Sequence, residues 1–277
     1  MVTDLQYSLD PMLKSKLDLM IQRTTKQNFD NLLVFDGDEG YGKTTMSMGV
    51  AYYVHHETGR PFDVKNVFFD LDSMMDFAMK NKEQIIVWDE AALGGLSDQF
   101  RSALQTKLIQ LLMVARKKKH FWIFNIPKFF KLREYIILDR AIGLVHVYAR
   151  NETELGRFVY YSKKKKERLY YDFKRTKVRN YKKYGDFHGT FSNVLAKVID
   201  EDVYDTMKDK AILSIGEDEK MSAAKQELVK IKYKIATRIK LSNLELGGAL
   251  DYDPTTISKW KKLHETYKFL RNQENGE

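Results

Sequence analysis

The sequence predicts an α/β fold with a mainly parallel sheet, followed by a small all-helical domain. Three observations carry that prediction. Short apolar runs alternate with helical patterns as far as Tyr148, a glycine-rich turn links the first run to a helix, and the pattern is helical beyond Thr190 with no strand candidate. The 277 residues are 43% hydrophobic and 31% charged with only 4 Pro, a composition that excludes a disordered or collagen-like chain.

The elements follow in order. Asp10-Pro11 ahead of Met12, Leu13, Leu17, Met20 and Ile21 reads as a capped amphipathic helix with Pro at its first position, an N-terminal segment over 1–30. Leu32–Phe35 is a buried strand ending in the glycine turn, and Lys43–His56 is the helix after it, with a loop from Thr58 to Pro61. Val67–Phe69, Ile85–Trp88, Phe121–Phe124 and Leu144–Tyr148 are further strands. Asp72–Lys80, Gln99–Arg116 (with Leu104, Leu108, Leu111 and Leu112 at helical spacing) and Lys131–Asp139 are the helices between them. Phe158–Tyr161 and Arg168–Phe173 read as antiparallel strands flanking a lysine run. That makes 157–183 a basic β-hairpin on a core of 31–189. A helical linker is expected over 190–220, most polar at Gly216–Lys220, and then a domain over 221–277.

In that last domain Leu244–Leu250 reads as a short helix, Asp251-Tyr252 as a turn, and Asp253-Pro254 as the cap and start of a second helix. Apolar Leu244, Leu246, Leu250, Ile257 and Trp260, with small Ala249, resemble the helix-turn-helix of DNA-binding regulators. Thr255, Thr256, Ser258, Lys259 and Lys262 would then face outward toward bases and phosphates. A helical hairpin used for packing is the alternative.

The chain has no Cys, which excludes a disulfide scaffold and thiolate-ligated zinc. Met1–Asp10 is polar and acidic, unlike a signal region, and no apolar run approaches the roughly 20 residues of a membrane helix. A soluble, cytoplasmic chain without membrane insertion is expected. The net charge of +9 is local: between Arg157 and Lys183 twelve Lys and Arg face only Glu167 and Asp172, a net of +10 that leaves −1 for the rest. Tyr160, Tyr161, Tyr170, Tyr171 and Tyr181 are interleaved with Lys163, Lys164, Lys165, Lys166, Arg168, Lys174 and Arg175. Cations for phosphates beside rings for bases suit a nucleic-acid surface. A solvated hairpin with its tyrosines packed underneath is the other reading.

Gly37-Asp38-Glu39-Gly40-Tyr41-Gly42-Lys43-Thr44 fits G-x-x-x-x-G-K-[ST], placed as that motif requires after a strand and before a helix that continues through Thr45. The glycines let backbone N–H groups turn toward phosphate oxygens, and the helix adds its positive dipole end. Lys43 would reach the β- and γ-phosphates and Thr44 would ligate Mg²⁺. Asp89 and Glu90 end the next long strand: the first can hold Mg²⁺ through water, and the second can polarise an attacking water. Asn125, at the following strand end, could bond the γ-phosphate or that water; a turn-forming Asn before Pro127 is the alternative. Arg101, Arg116, Arg133 and Arg140 are candidates for an arginine finger supplied by a neighbour, with Arg140 favoured for its place before a strand and Arg116 next.

Taken together, Gly37–Thr44, IIVWDEA (Ile85–Ala91), ARKKKHFWIFNIPKFF (Ala115–Phe130) and LDRAIGLVHVYAR (Leu138–Arg150) resemble the zonular-occludens-toxin-type branch of the FtsK/HerA P-loop ATPases. The resemblance spans about Asn31 to Tyr161, and its later segments are the discriminating ones. It implies a RecA-like sheet, an oligomeric and often hexameric ring, ATP and Mg²⁺ as cofactors, and DNA movement in packaging, conjugation or virion assembly. The family often has Gln where this chain has Asn125, and its toxin-type members commonly carry a membrane helix that is not found here. The expected function is therefore a Mg²⁺-dependent ATPase that moves DNA for a virus or mobile element. A nucleotide-switched DNA-binding regulator or loading factor is the main rival. A small-molecule kinase shares the glycine loop but suits Asp89-Glu90 less well.

Overall fold

The structure is a computed structural model. It describes residues 9–27, 29–89, 98–151, 153–192, 199–200, 202–209, 228, 231–233, 235–237, 239, 241–262 and 264, with the side chains of 98–101 left aside. The chain divides into two compact units, Met1–Leu213 and Ser214–Glu277.

The first unit is an α/β layer structure around a mixed sheet of seven strands. β1 (Asn31–Asp36), β2 (Val67–Phe68), β3 (Ile85–Asp89), β4 (Phe121–Asn125), β5 (Ala141–Arg150), β6 (Glu154–Ser162) and β7 (Phe187–Thr190) lie in the order β2-β3-β4-β1-β5-β6-β7. The first five run parallel, β6 pairs antiparallel with β5, and β7 pairs antiparallel with β6. β1, β3 and β4 are buried at every position, which is why they read as unbroken apolar runs. Alternation still sorts their side chains. Leu33, Phe35, Ile85, Val87, Phe121, Ile123, Val145 and Val147 share one core with Leu13, Leu17, Met46, Val50 and Val54 of the first two helices.

Those helices are α1 (Pro11–Lys26) and α2 (Lys43–Thr58); α3 (Leu71–Lys80) and α4 (Asp98–Val114) follow in the parallel part. α1 starts as its sequence dictates: the Asp10 carboxylate accepts from the Met12 and Leu13 N–H groups, and Pro11 supplies the first turn. Leu13, Leu17 and Met20 are buried, whereas Met12 is exposed.

Several expectations change. Lys131–Asp139 is not one helix but two tight turns, a 3₁₀ turn at Phe129–Lys131 and a π turn at Ile136–Arg140. The 157–183 region is not a β-hairpin. Its first six residues end β6, and the lysine run opens a helix, α5 (Lys163–Thr176). Leu169 and Tyr170 bury one face of that helix, with Lys166 one turn before them and the Phe173 ring tilted against Phe130, centres 4.3 Å apart. Positions 166, 169, 170 and 173 have helical spacing. A lysine in a core position hides that period. The span 190–220 is more than a linker: Thr190 closes β7, and Ile199 and Tyr204 are buried in the main core, with a helix, α6, at 202–209.

In the second unit α7 (Asn243–Leu250) has a reciprocal cap between Ser242 and Glu245. Asp251 turns the chain in the left-handed region, and Asp253 caps α8 (254–262) by accepting from the Thr255 N–H. Leu246, Leu250 and Ile257 bury with Ala236, and Trp260 packs against them. Gly247 is required there, because a Cβ would sit 2.7 Å from the Tyr252 carbonyl oxygen. Two members of the apolar pattern, Leu244 and Ala249, are exposed, Leu244 at 75%.

Candidate functional site

The carboxyl ends of β1, β3 and β4 meet at one place, where an α/β sheet of this kind offers its binding crevice. β1 delivers Gly37, whose φ of 141° and close approach to β5 exclude any side chain: a Cβ would run into the Val147 carbonyl oxygen. The turn continues through exposed Asp38, Glu39 and Gly40 and half-buried Tyr41 to Gly42, the N-cap of α2 at φ 88°. Among the described residues no side chain caps that helix end, so its dipole opens toward the loop.

Lys43 folds back over this turn, donating from Nζ to the Gly37 and Asp38 carbonyls, both at 2.7 Å. Burial lowers its pKa, while Asp89, Asp36, Glu39 and Asp38 work against that and favour the cation. Thr44, the next residue, donates its hydroxyl to Asp89 Oδ2 at 2.9 Å. Thr45 is half-buried behind it.

Asp89 is 1% exposed and lies in register with Asn125, both on the α2 side of the sheet. Asn125 Nδ2 donates to Asp89 Oδ2 at 3.2 Å, and because a carboxylate only accepts, this fixes the amide orientation. Asn125 Oδ1 is buried with no hydrogen-bond partner among the described residues. A third donor is one that sequence reasoning missed: the Tyr204 hydroxyl reaches the same Oδ2 at 2.8 Å from α6. Burial and then Asp89 push the Tyr204 phenol pKa up, so it remains a donor, with a Thr44 hydrogen bond acting the other way. Glu90 lies outside the described residues, as does the side chain of Arg101.

A second buried carboxylate, also missed, sits one residue before the loop. Asp36 is on the opposite face of the sheet, where it accepts from the Phe129 N–H at 3.2 Å and the Tyr181 hydroxyl, with His146 Nδ1 at 2.9 Å. The His146 and Tyr181 rings stack at 3.5 Å and 3°. Burial and Asp36 both raise the Tyr181 pKa.

The arginine expectations are revised. Arg140 precedes β5, at the amino end of the sheet and away from the loop. Its side chain is 10% exposed in an ion pair with the 4% exposed Asp30, so it is not available to a neighbour and is withdrawn as a finger. Arg116 is exposed at the same end, its guanidinium 5.8 Å from the Phe29 ring centre. Arg133 is tied to the Ser102 carbonyl and hydroxyl.

Among the basic residues Lys166 is corrected most sharply. It is fully buried, its amine donates to the Ile137 carbonyl, and burial pulls its pKa down to about 8, so it is withdrawn from the phosphate-contacting set. Lys174 pairs with Glu134 at 2.6 Å, and Arg175 with Asp172 at 3.0 Å. Lys163, Lys164 and Arg168 are exposed and Lys165 is half-buried. In the second unit Thr255, Ser258 and Lys259 are exposed and Thr256 is half-buried.

Chemically, the loop offers backbone N–H groups, a helix end and an amine to an oxyanion, beside a hydroxyl and a carboxylate whose hard oxygens suit Mg²⁺. Among the described residues no group of three or more His, Asp or Glu forms a metal cage. Among them, too, no helix is long and apolar enough to cross a membrane. No protein-family model matches the chain, and no curated protein matches it.

Proposed function

We propose that the chain is a Mg²⁺-dependent ATPase acting on DNA, with its nucleotide on the Gly37–Thr44 loop. The observation that carries this reading is the convergence of Lys43, Thr44, Asp89 and Asn125 at the ends of three adjacent strands around a glycine turn. The donor set fits a metal–nucleotide. Mg²⁺ keeps much of its water and takes only one or two protein oxygens beside phosphates, which Thr44 and Asp89 can supply. Asn125 Oδ1 is a buried acceptor that still requires a donor, and a water beside the phosphates would provide one.

In this reading the loop N–H groups and Lys43 bind the phosphates, exchanging the amine's two loop carbonyls for phosphate oxygens. Thr44 and Asp89 hold the Mg²⁺, which when bound neutralises charge building on the phosphate oxygens. Glu90 accepts the proton of the attacking water, and Asn125 orients that water. An arginine from a neighbouring protomer of an oligomeric ring, Arg116, completes the charge stabilisation. DNA is gripped by Lys163, Lys164, Lys165 and Arg168, with Arg175 at the other end of α5. Three lysines in the first turn of α5, where the helix dipole is also positive, make a concentrated target for phosphates. The α7–α8 pair acts as a helix-turn-helix presenting Thr255, Thr256, Ser258 and Lys259 to DNA.

The test is turnover with and without single- and double-stranded DNA across a salt series. DNA-stimulated hydrolysis lost in Glu90→Gln and Lys43→Ala supports the motor. The α7–α8 pair favours a second reading, a nucleotide-switched DNA-binding factor, which would bind DNA in a nucleotide-dependent way with negligible turnover.

A further inference from the structure

Tyr204 lies 115 residues from Asp89 in sequence and arrives on a separate element, yet its hydroxyl lands 2.8 Å from the oxygen that also receives Thr44 and Asn125. The contact is built. Asp200 starts the helix by accepting from the Asp202 and Val203 N–H groups with its carboxylate, and from Tyr204 N–H with its carbonyl at 3.0 Å. Ile199 is 4% and Tyr204 6% exposed, and the phenol ring meets Phe69 edge-on at 5.3 Å. A ring so held has little rotational freedom, so its hydroxyl is delivered to Asp89 already oriented.

Three donors on one carboxylate oxygen set the side-chain torsion of Asp89, and with it the direction in which Oδ1 points. Thr44 and Asn125 come from within the loop-and-strand framework. Tyr204 alone comes from α6, described over 202–209. We infer that Tyr204 is a positioning residue for Asp89 and that α6 is part of the metal–nucleotide site, so that metal binding is felt along that helix. This rests on the nucleotide reading above.

The experiment uses the full chain and Tyr204→Phe, which keeps the ring on Phe69 and removes only the hydroxyl. A fluorescent ADP is titrated in EDTA and over a Mg²⁺ series, with amide hydrogen exchange of 199–209 followed alongside and thermal unfolding as the folding control. The Mg²⁺ needed for half-maximal tightening should rise about tenfold in the variant. ADP affinity in EDTA should be unchanged, and the additional exchange protection that Mg²⁺–ADP confers on 199–209 in the wild type should be lost. Superimposable Mg²⁺ titrations would overturn the inference, and so would an equal loss of ADP affinity with and without metal, which marks plain packing. A wild-type chain that binds ADP no better than Lys43→Ala would instead sink the nucleotide reading, and this inference with it.

Discussion

Asp89 and Asp36 are both carboxylates on which donors converge, each at the carboxyl end of a parallel strand and almost fully buried, yet they are built for different work. Asp89 gathers two hydroxyls and an amide on the α2 side of the sheet, beside the turn that exposes Gly40 and the open end of α2. Asp36 faces the other way and joins β1 to β5, to the 181 segment and to the turn at Phe129. Strand alternation alone separates them: the pleat sends the last residues of β1 and β3 to opposite faces. A buried carboxylate at a strand end therefore signals a site only when it shares its face with the loop.

The comparison is stressed most severely by a third buried acid, Asp30, whose partner is Arg140. Arg140→Ala leaves that carboxylate buried and unpaired, so stability should fall by about 3–5 kcal/mol in urea unfolding, as for other broken buried pairs. Near-wild-type stability with selective loss of turnover would restore Arg140 as a finger.

Asp36→Asn and Asp89→Asn put the comparison itself to the test. Each removes a charge that three groups address, and each should lose about 1–3 kcal/mol. Only Asp89→Asn should weaken Mg²⁺-dependent nucleotide binding, by about 10–100-fold. Equal functional losses in the two variants would erase the distinction.

Lys166 extends the contrast to a buried cation. Its native pKa near 8 lies below the ordinary 10.5, so between those values the unfolded chain binds more protons than the native state. Stability should therefore rise with pH through that window. Relative to Lys166→Met, the wild type should gain roughly 2–3 kcal/mol from pH 8 to 10.5. A flat difference would mean that the native amine keeps its proton as readily as in the unfolded chain, its charge being solvated in the native state.

The smallest effect is expected at the surface. Neutralising Lys163, Lys164 and Lys165 should lower the slope of DNA affinity against salt by about 1 for each phosphate left without its lysine, with basal hydrolysis intact. An unchanged slope would move the DNA surface elsewhere.

Much of the parallel sheet was legible because strands buried on both faces announce themselves as unbroken apolar runs. The Gly37–Thr44 turn was legible because few residues other than glycine tolerate its backbone. The basic segment was misread for the opposite reason: Lys166 occupies a core position, so the helical period of α5 is broken at its first member. Arg140 illustrates the same limit, since an arginine before a strand looks alike whether it faces a neighbour or a buried aspartate.

By itself, the sequence determined the order of strands and helices as far as β4, the glycine turn with Lys43 and Thr44, and the polar ends of β3 and β4, because these follow from local periodicity and backbone chemistry. Only the tertiary structure decided that Tyr204 joins Asp89, that Tyr181 and His146 join Asp36, and that Arg140 and Lys166 are sealed. Those contacts span 29 to 145 residues, and a hydrogen bond leaves no mark in the local pattern of either partner.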